Sequence, residues 1–230
     1  MMPEGLDLLI ENFADWDSAL RAWPLLQQGL ILTVELAAVA LPLGLLTGLA
    51  IGLLYALGGR VLRVVLIAWI DLFRAFPVLV LLILIYFGLP FLGVQLPAFA
   101  AAVLALVLNN SGYFGEIFRA GLLSVPHGQM EAAQALGLTQ LRALRLVVLP
   151  QALRSIAAPL ASNSLELVKA TSIASLAALP ELLRSARVAQ EQTYNPTPLM
   201  VAALMYFVLL WPFAHAVARL ERRMLARDAR

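Results

Sequence analysis

Five long apolar stretches, 28–57, 64–89, 98–118, 156–179 and 199–217, constrain this chain more than anything else in it. A helix crossing the hydrocarbon of a bilayer needs about 20 mainly apolar residues, because its backbone N–H and C=O groups find no water there and must bond within the segment. Each stretch meets that length or comes close to it. The expected fold is an all-α integral membrane protein with about five transmembrane helices, the first long enough to tilt or to carry an interfacial turn before it. Hydrophobic residues make up 62% of the chain and charged residues 13%, too little polar cover for a soluble domain of 230 residues. No internal repeat or low-complexity linker divides the sequence, so 28–218 reads as one membrane domain, preceded by segment 1–27 and followed by a basic tail, 219–230. Within 1–27, Leu6, Leu9, Ile10, Phe13, Trp16 and Leu20 recur at helical spacing among acidic residues, the pattern of a short helix lying on the membrane surface; a partly ordered tail is the alternative. The N-terminus has no basic region followed by an apolar core, and no cleavable signal peptide is expected.

Orientation follows from arginine. Arg60 and Arg63 flank the first connection, Arg119, Arg142, Arg145 and Arg154 lie in or beside the third, and Arg219, Arg222, Arg223, Arg227 and Arg230 crowd the C-terminus. Basic residues gather on the cytoplasmic side, so these connections are expected inside. The opposite side agrees. The 90–97 connection is uncharged, the one after Leu179 balances Glu181 and Glu191 against Arg184 and Arg187, and the N-terminal segment sets Glu4, Asp7, Glu11, Asp15 and Asp17 against Arg21. The expected topology is N-terminus outside, C-terminus cytoplasmic.

Several function classes fall away at once. Cysteine is absent, which removes disulfides, thiolate nucleophiles and cysteine metal sites. His127 and His215 are too far apart in sequence for a paired zinc motif, so no metal site is expected. The 16 basic and 14 acidic residues form no basic groove, and nucleic acid is not an expected partner. A Walker A loop needs Gly-Lys followed by Ser or Thr, whereas the only lysine, Lys169, is followed by Ala170. The signatures of an intramembrane protease are missing as well. The chain is not expected to be an enzyme.

Polar residues inside the apolar stretches carry the remaining information, because an ionised side chain at the bilayer centre costs about 2.5–3.5 kcal/mol on insertion scales. Ser162, Asn163, Glu166 and Lys169 follow at intervals that share one side of a helix, with Thr171 and Ser172 just beyond. They form either a strip lining a path for a zwitterionic solute or an internal ion pair that joins helices. Asn109 and Asn110 interrupt the third stretch, where they can bond across helices or touch solute. Glu116 and Arg119 are placed to form a salt bridge at i, i+3, as are Asp71 and Arg74. Glu35 has no local partner and faces either water or another helix. Gly44, Gly48 and Gly52 repeat every four residues, a close-packing stripe for a helix of this subunit or of a second one.

The segment 131–154, EAAQALGLTQLRALRLVVLPQALR, differs from all of these. It is helix-forming, it sets Glu131 against Arg142, Arg145 and Arg154, and it is caught between membrane-grade runs. Glu131, Ala132, Ala133 and Leu136 precede Gly137, which suits the left-handed position closing a first short helix, and Thr139 then caps a second that Pro150 is expected to end. The spacing from Glu131 through Gly137 to Val147, Val148, Leu149 and Pro150 resembles the EAA loop of ABC importer membrane subunits. The stretches LFRAFPVLVLLILIYFGLP (72–90), LNNSGYFGEIFRAGLLSVPHGQMEAAQALG (108–137), SNSLELVKATSIASL (162–176) and PELL (180–183) resemble the subfamily of permeases for polar amino acids of the histidine, glutamine and arginine type. Together they span most of 30–223. Ala75 and Phe76 stand where that pattern more often has Gly and Thr, Glu166 where a small polar residue is usual, and Val147 where isoleucine is.

The resemblance implies a permease subunit of an ATP-driven importer in the bacterial inner membrane. It makes 131–154 a cytoplasmic coupling helix that docks on an ATPase, with Glu131, Ala132, Ala133, Leu136, Gly137, Leu149 and Pro150 as coupling residues. The polar residues inside the spans, Asn109, Asn110, Asn163, Glu166, Lys169, Thr171 and Ser172, are the candidates for the substrate path. The implied partners are two ATP-binding cassette subunits, which would hold the ATP and Mg, a second permease subunit, identical or paralogous, and a periplasmic or lipid-anchored solute-binding protein. Membrane lipid and an amino acid substrate complete the set. A secondary transporter using Glu166 as a coupling carboxylate is the rival reading, opposed by the lack of an inverted repeat.

Overall fold

The computed structural model describes residues 12–228, and every regular element in it is a helix. Leu6, Leu9 and Ile10 of the expected surface helix, the acidic Glu4, Asp7 and Glu11, and Arg230 lie outside the described residues. Of the C-terminal arginine side chains, Arg219 and Arg222 are described and Arg223 and Arg227 are not. Among the described residues four helices are long and apolar enough to cross a membrane, and five result if one bent pair counts as a single span.

The first helix, α1 (Trp16–Leu57), runs unbroken for 42 residues, about 63 Å at 1.5 Å per residue. The carboxylate of Asp15 caps it, accepting the Ser18 N–H at 2.9 Å, which lowers the Asp15 pKa. Trp16 and Leu20, expected in a separate surface helix, therefore open the first span itself. The reason is tertiary. Ser18, Ala22, Leu26, Gly29 and Thr33 form one buried edge along this half of α1, and the cluster of Ala22, Leu26, Leu182, Ala186, Ala189 and Ala202 holds it against later helices.

The second expected span is bent by 94° into α2 (Arg60–Ala75) and α3 (Val78–Ile83), the latter continued by a wide turn over Leu84–Gly88 and a tight one over Leu89–Leu92. Pro77 causes the break. It lacks the N–H that Phe73 O needs, and it drives Phe76 to extended backbone at φ −78°, ψ 125°.

The helix α4 (Ala98–Ser124) is the centre of the bundle, with Ala101, Ala105, Leu106 and Phe114 fully buried. It meets the glycine stripe of α1. A Cβ on Gly48 would overlap Phe114 Cβ, and one on Gly52 would lie 2.7 Å from Phe118 Cβ, so the stripe serves packing within this subunit.

After α4 come α5 (His127–Ala135) and α6 (Gln140–Ala143), then a wide turn, Leu144–Val148, that leads directly into α7 (Leu149–Ala170) and a tight turn over Thr171–Ala177. Pro150 does not end the second short helix as expected. It sits in the first turn of α7, directly after the wide turn, and residues Gln140–Ala177 form one apolar run of 38 residues. The helices α8 (Leu182–Thr193) and α9 (Thr197–Asp228) complete the chain.

Glu181, counted with the balanced charges of the connection after Leu179, is buried. It is 0% exposed, and it caps α8 by accepting the N–H groups of Leu183 at 2.9 Å and Arg184 at 2.7 Å. The Tyr206 hydroxyl of α9 donates to it at 2.8 Å, while Thr33 Oγ1 of α1 accepts the Leu182 N–H at 3.0 Å. Burial raises the Glu181 pKa despite these donors.

Candidate functional site

Two assemblies of polar or exposed residues stand apart from the packed core. The first is the hairpin made by α5 and α6. Gly137 has φ +89°, and the chain closes α5 with two bonds, Gly137 N–H to Gln134 O at 2.9 Å and Leu138 N–H to Ala133 O at 3.2 Å. This paired arrangement is the Schellman closure, which needs a left-handed residue after the helix and so favours glycine. Thr139 takes the cap position of α6 through its backbone, with Ala143 N–H bonding Thr139 O at 2.9 Å and no bond from its side chain.

The hairpin has two faces. Ala133, Ala143, Leu144 and Val148 turn inward, and Leu144, Val148 and Ala152 join Leu122 and Val125 in a small core against which Met130 and Leu149 pack. Glu131, Ala132, Leu136, Leu141 and Leu146 turn outward, and Leu136 is 86% exposed. Of the seven coupling candidates, Glu131, Ala132, Leu136, Gly137 and Pro150 are thus exposed, whereas Ala133 is buried and Leu149 packs against the small core.

The second assembly is a cleft of about 290 Å³ between α4 and α7, lined by Asn109, Asn110, Tyr113, Asn163, Glu166, Leu167 and Ala170. Four of the seven path candidates meet there. Asn163 Nδ2 donates to Asn110 Oδ1 at 3.1 Å, and Asn110 Nδ2 donates to Leu106 O at 2.9 Å. Glu166 is held by Lys169 at 2.7 Å, with both side chains well exposed, at 67% and 47%. The ion pair forms within α7, between residues one turn apart, and its carboxylate lines the cleft.

Lys169 and Ser172 line a different cavity, of about 380 Å³, with Tyr206 and apolar side chains of α8 and α9. Thr171 is buried and its hydroxyl donates to Val168 O at 2.6 Å, so it lines neither. Asn109 has a further task. Its Nδ2 donates to both Phe73 O and Phe76 O at 2.9 Å, replacing the N–H that Pro77 lacks. The proline one helix earlier was the available signal for this role, because it orphans the carbonyl four residues before it.

Other charged pairs sort clearly. Arg119 and Glu116 form the expected bridge, through two bonds of 2.7 and 2.8 Å. Asp71 and Arg74 do not. Among the described residues Asp71 has no ion pair, and Arg74 lies over the Tyr113 ring with its Cζ 5.8 Å from the centroid. Glu35 is exposed on the rim of a cleft with Gln28, Pro180 and Ser185. His, Asp and Glu form no group of three able to hold a metal among the described residues.

The pattern of the binding-protein-dependent transport system inner membrane component family matches residues 40–226. The chain belongs to this family. Among relatives, the arginine transport system permease protein ArtQ of Bacillus subtilis (strain 168) is 32% identical over 93% of this chain and 99% of its own length. The probable glutamine ABC transporter permease protein GlnP of the same organism is 35% identical over 86% of this chain and 93% of its own. In solved structures, a chain of an amino acid ABC transporter crystallised with histidines is 38% identical with a TM-score of 0.81, covering 91% of this chain and 98% of that one. A chain of the inward-facing MetNI methionine ABC transporter, 24% identical with a TM-score of 0.72, shares the fold. The permease is therefore a multi-pass component of the inner membrane, and its own part in the system is transport rather than catalysis.

Proposed function

We propose that this permease carries a polar amino acid or close analogue inward, driven by two ATPase subunits that dock on the α5–α6 hairpin and hold the ATP and Mg. The observation that carries this reading is the Gly137 hairpin, which presents Leu136 and Glu131 outward while Leu144 and Met130 anchor it to the bundle. Such an element passes a push on its exposed face directly to α4 and α7, whose facing sides line the polar cleft. A second permease subunit, identical or paralogous, completes the path, and a periplasmic or lipid-anchored binding protein delivers solute. The hairpin side is cytoplasmic, with the basic tail 219–230, and 28–218 is the transport domain.

Asn110, Asn163 and Glu166 recognise the solute, with Glu166 meeting an ammonium or other cationic group. A carboxylate near a protein surface, at an effective dielectric constant of about 20, attracts a close cation about four times as strongly as it does in water. ATP-driven closure of the ATPases pulls the hairpins together and tilts the spans, and the differential contact that couples the two events is the docked hairpin. The arginine and glutamine permeases among the relatives support the amino acid class. They also favour this reading over an ion-coupled transporter.

Uptake of radiolabelled amino acids into proteoliposomes containing permease, ATPase and binding protein tests the proposal. ATP inside the ATPase-accessible compartment must drive uptake that an uncoupler leaves intact. Uptake without ATP that collapses with the proton gradient would establish the rival.

A further inference from the structure

A cavity of about 250 Å³ lies where the inner end of α1, the start of α2, the end of α4 and the hairpin meet. Its polar lining is Tyr55, Arg63, His127 and Gln140, its floor includes Leu122 and Val148, and among the described residues no carboxylate lines it. Arg63 is the fixed charge. Its Nε donates to Tyr55 O at 3.0 Å and its Nη2 reaches Ala56 O at 3.4 Å, the orphan carbonyls at the end of α1, and the guanidinium retains further N–H donors. Its Cζ sits 5.5 Å from the centroid of the Tyr55 ring, and Arg119 Cζ lies 5.4 Å from the same centroid. Arg119 is already neutralised by Glu116, whereas Arg63 has no acidic partner among the described residues.

We propose that this cavity binds an anionic phospholipid of the inner leaflet, with the phosphodiester against Arg63 and the apolar start of an acyl chain against Leu122 and Val148. Basic pockets between transmembrane helices on the cytoplasmic side are suited to anionic headgroups. The shared chemistry is a phosphate anion, and the apolar floor selects the lipid over a free ion. His127 and Met130 place the cavity on the inner side of α5, away from the exposed Glu131 and Leu136. A lipid there braces the hairpin from behind without covering its docking face. The proposal rests on the cytoplasmic placement of the hairpin.

The test uses the full-length permease in nanodiscs of phosphatidylcholine alone or equimolar phosphatidylcholine and phosphatidylglycerol. Native mass spectrometry counts retained lipid, and thermal unfolding reports stabilisation. Phosphatidylglycerol is expected to be retained in preference and to raise the unfolding temperature. Arg63→Gln, which keeps a donor for the Tyr55 carbonyl, and Gln140→Glu, which adds a carboxylate at the start of α6, each lower the apparent affinity about fivefold, the effect of roughly one surface charge. Arg60→Gln, outside the cavity, leaves retention unchanged. Equal loss in Arg60→Gln means a diffuse surface potential and overturns the site, as does stabilisation by inorganic phosphate in phosphatidylcholine discs. Absence of any phosphatidylglycerol effect overturns it too. Labelling of Leu136→Cys from outside the cell by an impermeant thiol reagent instead overturns the orientation on which the importer reading depends.

Discussion

Asn163 on α7 donates through Nδ2 to Asn110 Oδ1 on α4 at 3.1 Å, while the Asn110 amide nitrogen is already committed to Leu106 O at 2.9 Å. The second bond fixes which end of the Asn110 carboxamide faces α7, so this pair ties together the two helices that form the polar cleft. Hydrogen bonds between membrane helices average about 0.6 kcal/mol and reach about 1.7. Asn163→Leu and Asn110→Leu are each expected to lower stability by about 1 kcal/mol in mixed-micelle unfolding. The double variant should fall less than the sum, since both remove one bond; strict additivity would deny that the pair is coupled.

Glu166→Gln keeps the shape of the cleft and removes its charge. Solute-stimulated ATP hydrolysis with a cationic amino acid is expected to fall about tenfold, while basal hydrolysis and subunit assembly persist. That fall needs only ~1.4 kcal/mol, well within the ~4 kcal/mol of a close charge pair at an effective dielectric constant of 20. The moderate expectation reflects Lys169, which already holds the carboxylate at 2.7 Å. Full activity on every substrate would reduce Glu166 to helix glue.

Gly48 and Gly128 make a matched pair for testing packing. A Cβ at Gly48 overlaps Phe114, whereas nothing lies within 4 Å of one at Gly128. Gly48→Ala is expected to cost about 1–3 kcal/mol through overpacking of α1 on α4. Gly128→Ala should be tolerated or stabilise α5 by about 0.5–1 kcal/mol, the helix preference of alanine. Thermal unfolding of the two variants checks both, and equal behaviour would remove the packing argument.

Gly137→Val opposes the φ of +89°, and Glu131→Lys reverses a charge on the exposed face of α5. The left-handed conformation costs a residue with a Cβ about 1–2 kcal/mol, so the Schellman closure is expected to open in the first variant. Both should weaken co-purification of the ATPase and lower uptake while membrane insertion stays intact. Gly137→Asn, which tolerates the left-handed region, should recover part of the loss. Normal assembly and uptake in Gly137→Val and Glu131→Lys would remove the docking role.

Much of this architecture was legible because bilayer length and glycine geometry act locally. The five apolar stretches, the Gly137 turn and the Glu116–Arg119 bridge need only neighbouring residues to be read. What stayed hidden depends on partners distant in sequence. The helical course of 16–27 is decided by Leu182, Ala186 and Ala202, and the burial of Glu181 by Tyr206 and Thr33. The candidate cleft was partly legible for the same reason. Asn163 and Glu166 share a helix face, but the use of Asn109 at the Pro77 break, rather than wholly in the cleft, requires α2 and α4 to be seen together. The place of Pro150 is hidden because a proline between two helical patterns has the same local signature whether it ends one helix or begins the next.

Glu181 makes stability depend on pH with a defined sign. Burial raises its pKa above the ordinary 4.5, so between that value and the raised one the folded protein binds more protons than the unfolded chain. Its stabilising contribution is complete below the ordinary value and is lost as pH rises through the folded one. Asp15 acts oppositely: its lowered pKa removes stability only as pH falls below the ordinary 3.8. Unfolding temperature in detergent is therefore expected to decline as pH is raised from about 4.5 through the Glu181 transition, with the acid loss from Asp15 confined to lower pH. Glu181→Gln removes that decline. It also turns an amide toward donors, the Leu183 N–H and Tyr206 hydroxyl that now meet Oε2, or toward the Arg184 N–H at Oε1, so its unfolding temperature should be lower near neutral pH. Tyr206→Phe removes one donor to the carboxylate and keeps the cap of α8, which should raise the Glu181 pKa further and shift the decline to higher pH. A pH profile that is identical in wild type and Glu181→Gln would show that this carboxyl group does not titrate with folding.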